Sequence, residues 1–275
     1  MPELPEIETL VHDLRNAGLK GRRVRNVDIY WDRIIVGLSP RAFIRQLKDR
    51  TFLGIKRRGK FIVFRLSGGY SLLTHLRMTG QFALRSTADP RDIHEHLVLR
   101  LNDGRELRYR DTRKFGRWYL TRNPKSILHP LGPEPLVASF KLRDFTTCLA
   151  GCRRMLKPLL LDQKFIAGIG NIYADESLWE AHLHPQRRPD TLQQNEVQAL
   201  YQAIRRTLKS GIRHGGTSLG AGQSHFSNLS GQRGRHHRYL NVYGRTGQPC
   251  PRCHTPIQRL TIGQRSSHIC PVCQR

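Results

Sequence analysis

Apolar residues near the start of the chain recur with the period of a helix. Side chains at positions i, i+3, i+4 and i+7 share one helical face, and here they are Ile7, Leu10, Val11 and Leu14. We therefore predict a short amphipathic helix that buries this face. Residues 2 and 3 fall outside the helix, where both are free to be exposed.

From about residue 22 to residue 121 the pattern changes to the alternation that is typical of strands. Leu97, Leu99 and Leu101 alternate up to an Asn-Asp-Gly sequence at 102–104, and the alternation resumes at Leu107. This arrangement predicts a β-hairpin with a tight turn. Several short antiparallel strands in one region indicate a sandwich or a barrel-like layer.

The second half of the chain has a different pattern. Beyond a Gly- and Pro-rich linker at 131–136 it is helical to about residue 213. A Gly- and Ser-rich loop follows, from about residue 215 to residue 234, and it is longer than a simple connection needs. The last segment, from about Tyr239, combines strand-like residues with four cysteines.

The chain is strongly basic, because 47 Lys and Arg residues against 21 acidic ones give its 275 residues a net charge of +26. Nucleic acid is the natural partner of such a surface, since binding releases the counterions condensed on the phosphates. No apolar run approaches the roughly 18–20 residues of a membrane-spanning helix, so we expect no membrane partner. The first residues lack the regions of a signal peptide, which favours a cytoplasmic location.

The spacing of four cysteines predicts a metal site. Cys250 and Cys253 form one Cys-x2-Cys pair, Cys270 and Cys273 form another, and sixteen residues separate the two pairs. Such pairs supply the four thiolates of a closed, structural Zn²⁺ site. A redox-active cysteine pair is the less favoured alternative. We expect one zinc ion, and a segment this short needs the metal to fold.

Six motifs carry a resemblance to a known family. In chain order they are Met-Pro-Glu-Leu-Pro-Glu at 1–6, Arg-Gly-Lys at 58–60, His-Leu-Arg-Met-Thr-Gly at 75–80, Asp-Thr-Arg-Lys-Phe-Gly at 111–116, Gly-Ile-Gly-Asn-Ile-Tyr at 168–173 and Val-Tyr-Gly-Arg at 242–245. With the cysteine pairs after them, the chain resembles, over essentially its whole length, the bacterial formamidopyrimidine-DNA glycosylase family, of which endonuclease VIII is a sister branch.

The resemblance implies a multidomain α+β fold. Its expected parts are an N-terminal helix plus β-sandwich catalytic domain over 1–131, a helical helix–two-turn–helix DNA-binding domain with a lesion-capping loop over 136–238, and a C-terminal β-hairpin zinc ribbon over 239–275. The implied partner is double-stranded DNA containing damaged bases. We expect a monomer that is associated with the nucleoid of a bacterial cell.

The resemblance also implies the catalytic residues, which are Pro2, Glu3, Lys60 and Arg265. Removal of Met1 leaves the Pro2 amine at the terminus, and an ordinary α-amino group with a pKa of about 8 is partly neutral near pH 7. Attack on the sugar C1′ displaces the damaged base and forms a Schiff base, after which β- and δ-elimination cleave the strand. Glu3 moves protons at the sugar. Lys60 contacts the phosphate and sugar, and Arg265 binds a phosphate near the lesion.

A second set of residues is implied to contact DNA: Glu6, Met78, His94, Arg113, Phe115 and Asn171. Glu6 supports Glu3. Met78, Arg113 and Phe115 resemble the family's wedge, which fills the space left when a base is taken out of the stack. Asn171 is expected to cap a helix and to touch the DNA backbone.

Two departures from the family pattern bear on the substrate. Thr112 stands where the family commonly has Pro, and the sequence at 220–228 lacks the acidic-aromatic residues of many lesion-capping loops. Leu4 favours the formamidopyrimidine branch, so oxidised purines such as 8-oxoguanine and formamidopyrimidines are the expected substrates. Three alternatives stay open: an endonuclease VIII-like enzyme for oxidised pyrimidines, a non-catalytic lesion-binding protein, and a zinc-ribbon RNA-binding protein.

Overall fold

The computed structural model describes residues 1–220 and 226–275, and the chain forms two compact units. The first unit comprises Met1–His129 and His214–Arg235, and the second comprises Pro130–Arg213 and His236–Arg275. Residues 214–235, which the sequence-based division places with the helical part, belong to the first unit. Phe226 and Leu229 explain this assignment, because both are buried in the core of the first unit.

The first unit is built on two antiparallel four-stranded sheets with strand orders β1-β6-β7-β5 and β2-β3-β4-β8. The strands are β1 (Val24–Ile29), β2 (Phe52–Arg58), β3 (Phe61–Leu66), β4 (Ser71–His75), β5 (Gln81–Ser86), β6 (Glu95–Leu101), β7 (Arg105–Arg110) and β8 (Arg117–Thr121). The helices of this unit are α1 (Leu4–Asn16), α2 (Pro40–Leu47) and α3 (Lys125–Leu128).

The two sheets share one hydrophobic core. Phe82 of β5 packs against Trp118 of β8 with ring centroids 5.7 Å apart, and against Phe64 of β3 at 6.3 Å. The apolar face of α1 is fully buried in the same core. The predicted sandwich, its N-terminal helix and the hairpin of β6 and β7 are therefore confirmed.

The second unit is mainly helical and ends in a two-stranded hairpin. Its helices are α4 (Leu142–Leu149), α5 (Leu156–Leu161), α6 (Asn171–Glu180) and α7 (Gln194–Arg213), and its strands are β9 (Gln258–Ile262) and β10 (Arg265–Ile269). The fold class is therefore the predicted mixture of a β-sandwich, a helical part and a C-terminal hairpin. Within the described ranges, no helix is long and apolar enough to cross a membrane.

One sequence-based expectation about the N-terminus is wrong. Pro2 and Glu3 lie outside α1 as predicted, but both are buried. Glu3 exposes only 3% of its surface. The Glu3 N–H donates to the carboxylate of Glu6, which also accepts the N–H of the distant Thr217, a contact that the local pattern does not reveal.

Candidate active site

The Glu6 carboxylate organises the N-terminal segment. Its Oε2 accepts a hydrogen bond from the backbone N–H of Glu3 at 2.8 Å, and its Oε1 accepts one from the N–H of Thr217 at 2.7 Å. Gly216 has a φ of +81°, and a Cβ there would lie 2.9 Å from Cγ of Glu6. This close approach requires glycine. Glu6 thus joins the start of α1 to the segment that follows α7.

The nucleophile expected from the sequence is the amine that Pro2 carries once Met1 is removed. The amino group one residue earlier, that of Met1, lies in surroundings that alter its basicity. Burial lowers the pKa of the Met1 amino group from its ordinary value of 8.0. Glu3 and Glu6 raise that pKa, whereas Lys60 and Arg113 lower it further. The structure therefore brings four of the predicted site residues within electrostatic reach of the terminal amine.

Lys60 lies in the tight turn between β2 and β3, directly after Gly59, whose φ is +55°. The side chain is buried, with 4% exposure. Across the ladder, Phe61 pairs with His75, and the two rings lie 4.9 Å apart. His75 is a neighbour that sequence reasoning left without a role, although it opens one of the quoted motifs.

His75 is neutral at physiological pH. Burial lowers its pKa from 6.5 to about 3, and the positive charges of Arg77 and Lys60 act in the same direction. Its Nδ1 accepts a hydrogen bond from the backbone N–H of Arg77 at 3.0 Å. The ring therefore lies beside Lys60 without adding a competing charge.

Met78, Arg113 and Phe115 lie on two loops of the first unit. Met78 and Phe115 are exposed by 37% and 45%, and the Arg113 guanidinium lies 4.7 Å from the centre of the Phe115 ring. Each loop contains a non-glycine residue in the left-handed region, Arg77 at φ +56° and Lys114 at φ +59°. Such backbone strain persists only where the surroundings enforce it, and it is concentrated at functional loops.

His94 lies in the loop that leads into β6 and is half-buried. Its N–H donates to Oδ1 of Asp92 at 2.7 Å, and its carbonyl accepts from the N–H of Asp111 at 2.9 Å. The second bond places His94 next to the loop that carries Arg113 and Phe115.

Asn171 and Arg265 belong to the second unit. The residue that caps α6 is Gly170, so the expectation that Asn171 is the cap is wrong by one position. Asn171 begins the helix, and its side-chain Nδ2 instead donates to the carbonyl of Ser266 at 3.1 Å. Because Arg265 is the residue before Ser266 and the first of β10, this contact ties Asn171 to the hairpin that presents Arg265.

The carboxylate of Asp175 on α6 also holds this hairpin. It accepts hydrogen bonds from Nζ of Lys157 at 2.5 Å, from Oγ of Ser267 at 2.9 Å and from the N–H of His268 at 2.9 Å. Lys157 in turn donates to the carbonyl of Ser266 at 2.7 Å. The ion pair of Lys157 and Asp175 is fully buried, so α5, α6 and β10 are linked at one point.

Glu176, the next residue of α6, holds a different segment. Its carboxylate accepts hydrogen bonds from the backbone N–H groups of Asn241, Val242 and Tyr243 at 2.9 to 3.1 Å. Burial raises the pKa of Glu176, although these hydrogen bonds oppose the shift. Sequence reasoning missed both carboxylates of α6. The one available signal was an Asp-Glu pair inside a largely apolar helix.

The four cysteines predicted from their spacing form a metal site. The sulfur atoms of Cys250, Cys253, Cys270 and Cys273 all lie within 4.8 Å of one another. Ligands at about 2.3 Å from a tetrahedral zinc ion lie roughly 3.8 Å apart. The observed Sγ–Sγ distances are 3.9 Å for Cys250 and Cys273 and 3.4 Å for Cys253 and Cys270. Four thiolates in this arrangement fit one structural zinc ion.

The expected lesion-capping loop lies partly outside the described residues, which omit 221–225. The unusual sequence at 220–228 can therefore be followed only at its ends. Before the gap, Ser218 is buried and its hydroxyl accepts the N–H of Gly234 at 2.8 Å. After the gap, Phe226 is buried in the core of the first unit.

Three family models match the chain in the order that the sequence motifs suggested. Residues 1–118 match the formamidopyrimidine-DNA glycosylase N-terminal domain, and residues 131–222 match the formamidopyrimidine-DNA glycosylase H2TH domain. Residues 247–275 match the zinc finger found in FPG and IleRS. Zinc is therefore the metal that the four cysteines bind.

Curated relatives and solved structures agree with these matches. Proteins named formamidopyrimidine-DNA glycosylase from Protochlamydia amoebophila and Herpetosiphon aurantiacus are 42% and 43% identical, and each alignment covers 100% of both chains. A crystal structure of a Lactococcus lactis FPG variant with DNA containing Fapy-dG has a TM-score of 0.92 and 33% identity over 100% of both chains. A Lactococcus lactis Fpg complex with DNA containing an abasic site has a TM-score of 0.91 and 34% identity over 99% of both chains. The chain therefore belongs to the formamidopyrimidine-DNA glycosylase family and is a DNA-repair glycosylase with a zinc finger.

Proposed function

We propose that this glycosylase removes oxidised purines, such as 8-oxoguanine and formamidopyrimidines, from duplex DNA and then cleaves the strand as a lyase. The nucleophile is the amine of Pro2, exposed by removal of Met1. The observation that carries the proposal is the position of Pro2, which is buried beside the buried carboxylate of Glu3. The Met1 amino group, one residue earlier, feels the charges of Glu3, Glu6 and Lys60, and burial lowers its pKa. A neutral amine is the form that attacks carbon.

The proposed reaction assigns each group a simple task. The amine nitrogen forms a bond to the sugar C1′ as the glycosidic bond breaks, and the base leaves with a proton. The sugar ring then opens as the C1′–O4′ bond breaks and O4′ takes up a proton, which leaves a positively charged Schiff base between the Pro2 nitrogen and C1′. This charge acidifies the C2′ proton and permits elimination. Glu3 is the carboxylate next to the amine and is suited to moving these protons. Lys60, buried close to the amine, supplies a positive charge for the phosphate and sugar.

Duplex DNA with a damaged base is the proposed partner, in keeping with the net charge of +26. Met78, Arg113 and Phe115 enter the space left by the extruded base. His94 contacts DNA from the adjacent loop. Asn171 and Arg265 bind phosphates, and the hydrogen bond from the Asn171 side chain to the carbonyl of Ser266 supports this assignment because Ser266 directly follows Arg265.

The proposed substrate range rests on Leu4 and on the similarity to complexes that contain Fapy-dG. The test uses three duplexes, carrying 8-oxoguanine, an oxidised pyrimidine or an abasic site. Base release is measured after alkali treatment and strand cleavage without it, so the glycosylase and lyase steps are scored separately. We expect both steps on 8-oxoguanine, and β,δ-elimination products that lack the sugar at the cleavage site.

Each other outcome of this assay has a definite meaning. Faster release of the oxidised pyrimidine would contradict the purine preference and favour an endonuclease VIII-like enzyme. Base release without strand cleavage would contradict the lyase step. Tight binding to all three duplexes without either reaction would favour a lesion-binding protein.

A further inference from the structure

Asp111, directly after β7, is a buried carboxylate to which the proposed function gives no task. It exposes 1% of its surface. Its Oδ2 accepts hydrogen bonds from the N–H of Gly116 at 2.8 Å and from the hydroxyl of Tyr109 at 3.2 Å. Its Oδ1 accepts the N–H of Arg113 at 3.2 Å and the hydroxyl of Thr79. One side chain thus receives four hydrogen bonds.

These donors come from the two loops that carry the wedge residues. Thr79 follows Met78 in the loop between β4 and β5, whereas Arg113 and Gly116 flank Phe115 in the loop between β7 and β8. The Asp111 carboxylate is therefore a bridge between the loops. Because its hydrogen bonds with Arg113 and Gly116 are to backbone N–H groups, it fixes the course of the chain itself.

The Tyr109 hydroxyl completes this bridge and explains two glycines. A Cβ on Gly80 or on Gly116 would overlap the Tyr109 hydroxyl, so both loops approach it by backbone alone. The Tyr109 ring packs against Trp118 and Phe82 with centroids 5.4 and 5.7 Å away. Tyr109 therefore fixes the position of both loops relative to the hydrophobic core of the sandwich.

The backbone of Asp111 also contacts a third loop, the one that contains His94 and leads into β6. Its N–H donates to the carbonyl of His94 at 2.9 Å, and its carbonyl lies 2.9 Å from Nε2 of His96. The two strained residues, Arg77 and Lys114, lie next to the wedge residues on the bridged loops. Strained backbone of this kind needs such fixed contacts to persist.

We propose that Asp111 is a positioning residue that fixes Met78, Arg113 and Phe115 in the geometry that wedges open the duplex. The inference rests on the proposed function, because it concerns how these three side chains act. Asp111 sets the extrusion of the damaged base and takes no part in the chemistry at the Pro2 amine. Preorganised loops matter here because a displacement of about 1 Å at a site can reduce a rate by a factor of about 100.

The test compares a duplex that must be opened with a strand that need not be. The duplex carries 8-oxoguanine beside a 2-aminopurine, whose fluorescence rises when it is unstacked. The second substrate is a single-stranded oligonucleotide with an abasic site, which reports borohydride-trapped Schiff base alone. The variants are Asp111→Ala and Asp111→Asn, with Asp28→Ala as the control. Asp28 is on β1 of the same sheet, pairs with Val98 of β6 and accepts a hydrogen bond from Arg100 at 2.9 Å.

We expect Asp111→Ala to slow excision from the duplex about 10- to 100-fold and to abolish the fluorescence rise. Asp111→Asn should be intermediate, because an amide keeps one acceptor and turns an NH₂ towards the remaining donors. Trapping on the single strand should stay at the level of the unchanged protein for both variants. The control should behave as the unchanged protein in all assays.

If Asp111→Ala reduces excision from the duplex and trapping on the single strand by the same factor, the inference is overturned. An unchanged fluorescence rise in Asp111→Ala would also overturn it. Thr79→Val, which removes one of the four donors and keeps the carboxylate, is the second variant if Asp111→Ala does not fold. It should slow duplex excision and leave single-strand trapping unchanged. Normal fluorescence in both Met78→Ala and Phe115→Ala would instead overturn the wedge function. If the fluorescence rise is lost in those two variants but kept in Asp111→Ala, only the positioning role of Asp111 is overturned.

Discussion

In both units, buried carboxylates accept backbone N–H groups of segments far away in the sequence, but the two units depend on these contacts to different extents. In the first unit Glu6 holds the N–H of Thr217, which is 211 residues away, and it does so beside a large sandwich core. In the second unit Asp175 and Glu176 hold the segments around 267 and 242. The core beneath the zinc hairpin is small and includes two of the metal-binding cysteines themselves.

This difference indicates where each unit obtains its rigidity. The sandwich can support strained loops and a buried amine because its hydrophobic core fixes the strands without their help. The hairpin that carries Arg265 has little apolar surface to bury, so metal ligation and buried ion pairs must fix it.

Removal of zinc should have the largest effect. Structural zinc contributes about 10–16 kcal/mol to the folding of small zinc modules. Chelation, or the substitution Cys250→Ser, should therefore unfold the segment of β9 and β10 and weaken DNA binding. The thermal transition of the sandwich should be unchanged.

The measurements are zinc content, affinity for an abasic duplex, and hydrogen exchange resolved by segment. Cys148→Ser, outside the metal cluster, is the control. Full DNA affinity after loss of zinc would contradict the claim that metal ligation fixes the hairpin that carries Arg265.

Breaking the buried ion pair of the second unit should have the next largest effect. Lys157→Ala removes the cation beside the buried carboxylate of Asp175, which costs about 3–5 kcal/mol in the free energy of unfolding. Lys157→Met restores the packing but not the charge, so it should be nearly as destabilising. Lys209→Ala, an exposed lysine of α7, should change that free energy by less than about 0.5 kcal/mol. Urea unfolding of all three variants measures these values, and equal stability of Lys157→Ala and Lys209→Ala would contradict the account.

Removing one hydrogen bond of Glu6 in the first unit should cost less. Glu6→Gln keeps an acceptor for Thr217 but turns an NH₂ towards the N–H of Glu3, which loses its partner. Loss of a hydrogen bond to a charged group costs about 1.5–3 kcal/mol. We expect this fall in the stability of the sandwich, faster exchange of the Glu3 amide and little change at the Thr217 amide. Asp49→Asn, an exposed carboxylate 3.9 Å from Arg25, is the control and should show neither change. Unchanged stability and unchanged slow exchange of the Glu3 amide in Glu6→Gln would refute this role.

The smallest effect concerns pH. Burial raises the pKa of Glu176 in the folded protein above its ordinary value of 4.5. Between these two pKa values the folded state binds more protons than the unfolded state, so this group lowers the free energy of unfolding as pH rises through that window. Glu176→Gln cannot titrate and should remove this part of the pH dependence. Denaturant unfolding from pH 4 upward measures the difference, and parallel curves for the two proteins would contradict the assignment.

The sequence predicts those features of the fold that leave a local pattern. The alternation at 97–107 found the hairpin of β6 and β7, and the spacing of the cysteines found the metal ligands, because a repeat or a motif of chemically distinct residues marks each one. The burial of Glu3 was missed, and so was the contact of its partner Glu6 with the distant Thr217, because neither leaves a local pattern.

The carboxylate contacts were also missed, for a related reason. Glu6, Asp111, Asp175 and Glu176 all accept hydrogen bonds from backbone N–H groups. Every residue except proline offers such a donor, so the partner segments carry no signal in their side chains. Only the folded chain shows which amides these carboxylates reach.

The central claim is that the amine of Pro2 forms the covalent intermediate. The most direct test is borohydride reduction of the protein on an abasic duplex, followed by proteolysis and mass spectrometry of the peptide joined to DNA. The account predicts one cross-link, on the N-terminal peptide at Pro2, in protein whose Met1 has been removed. A cross-link at Lys60 or at any other amine would contradict it.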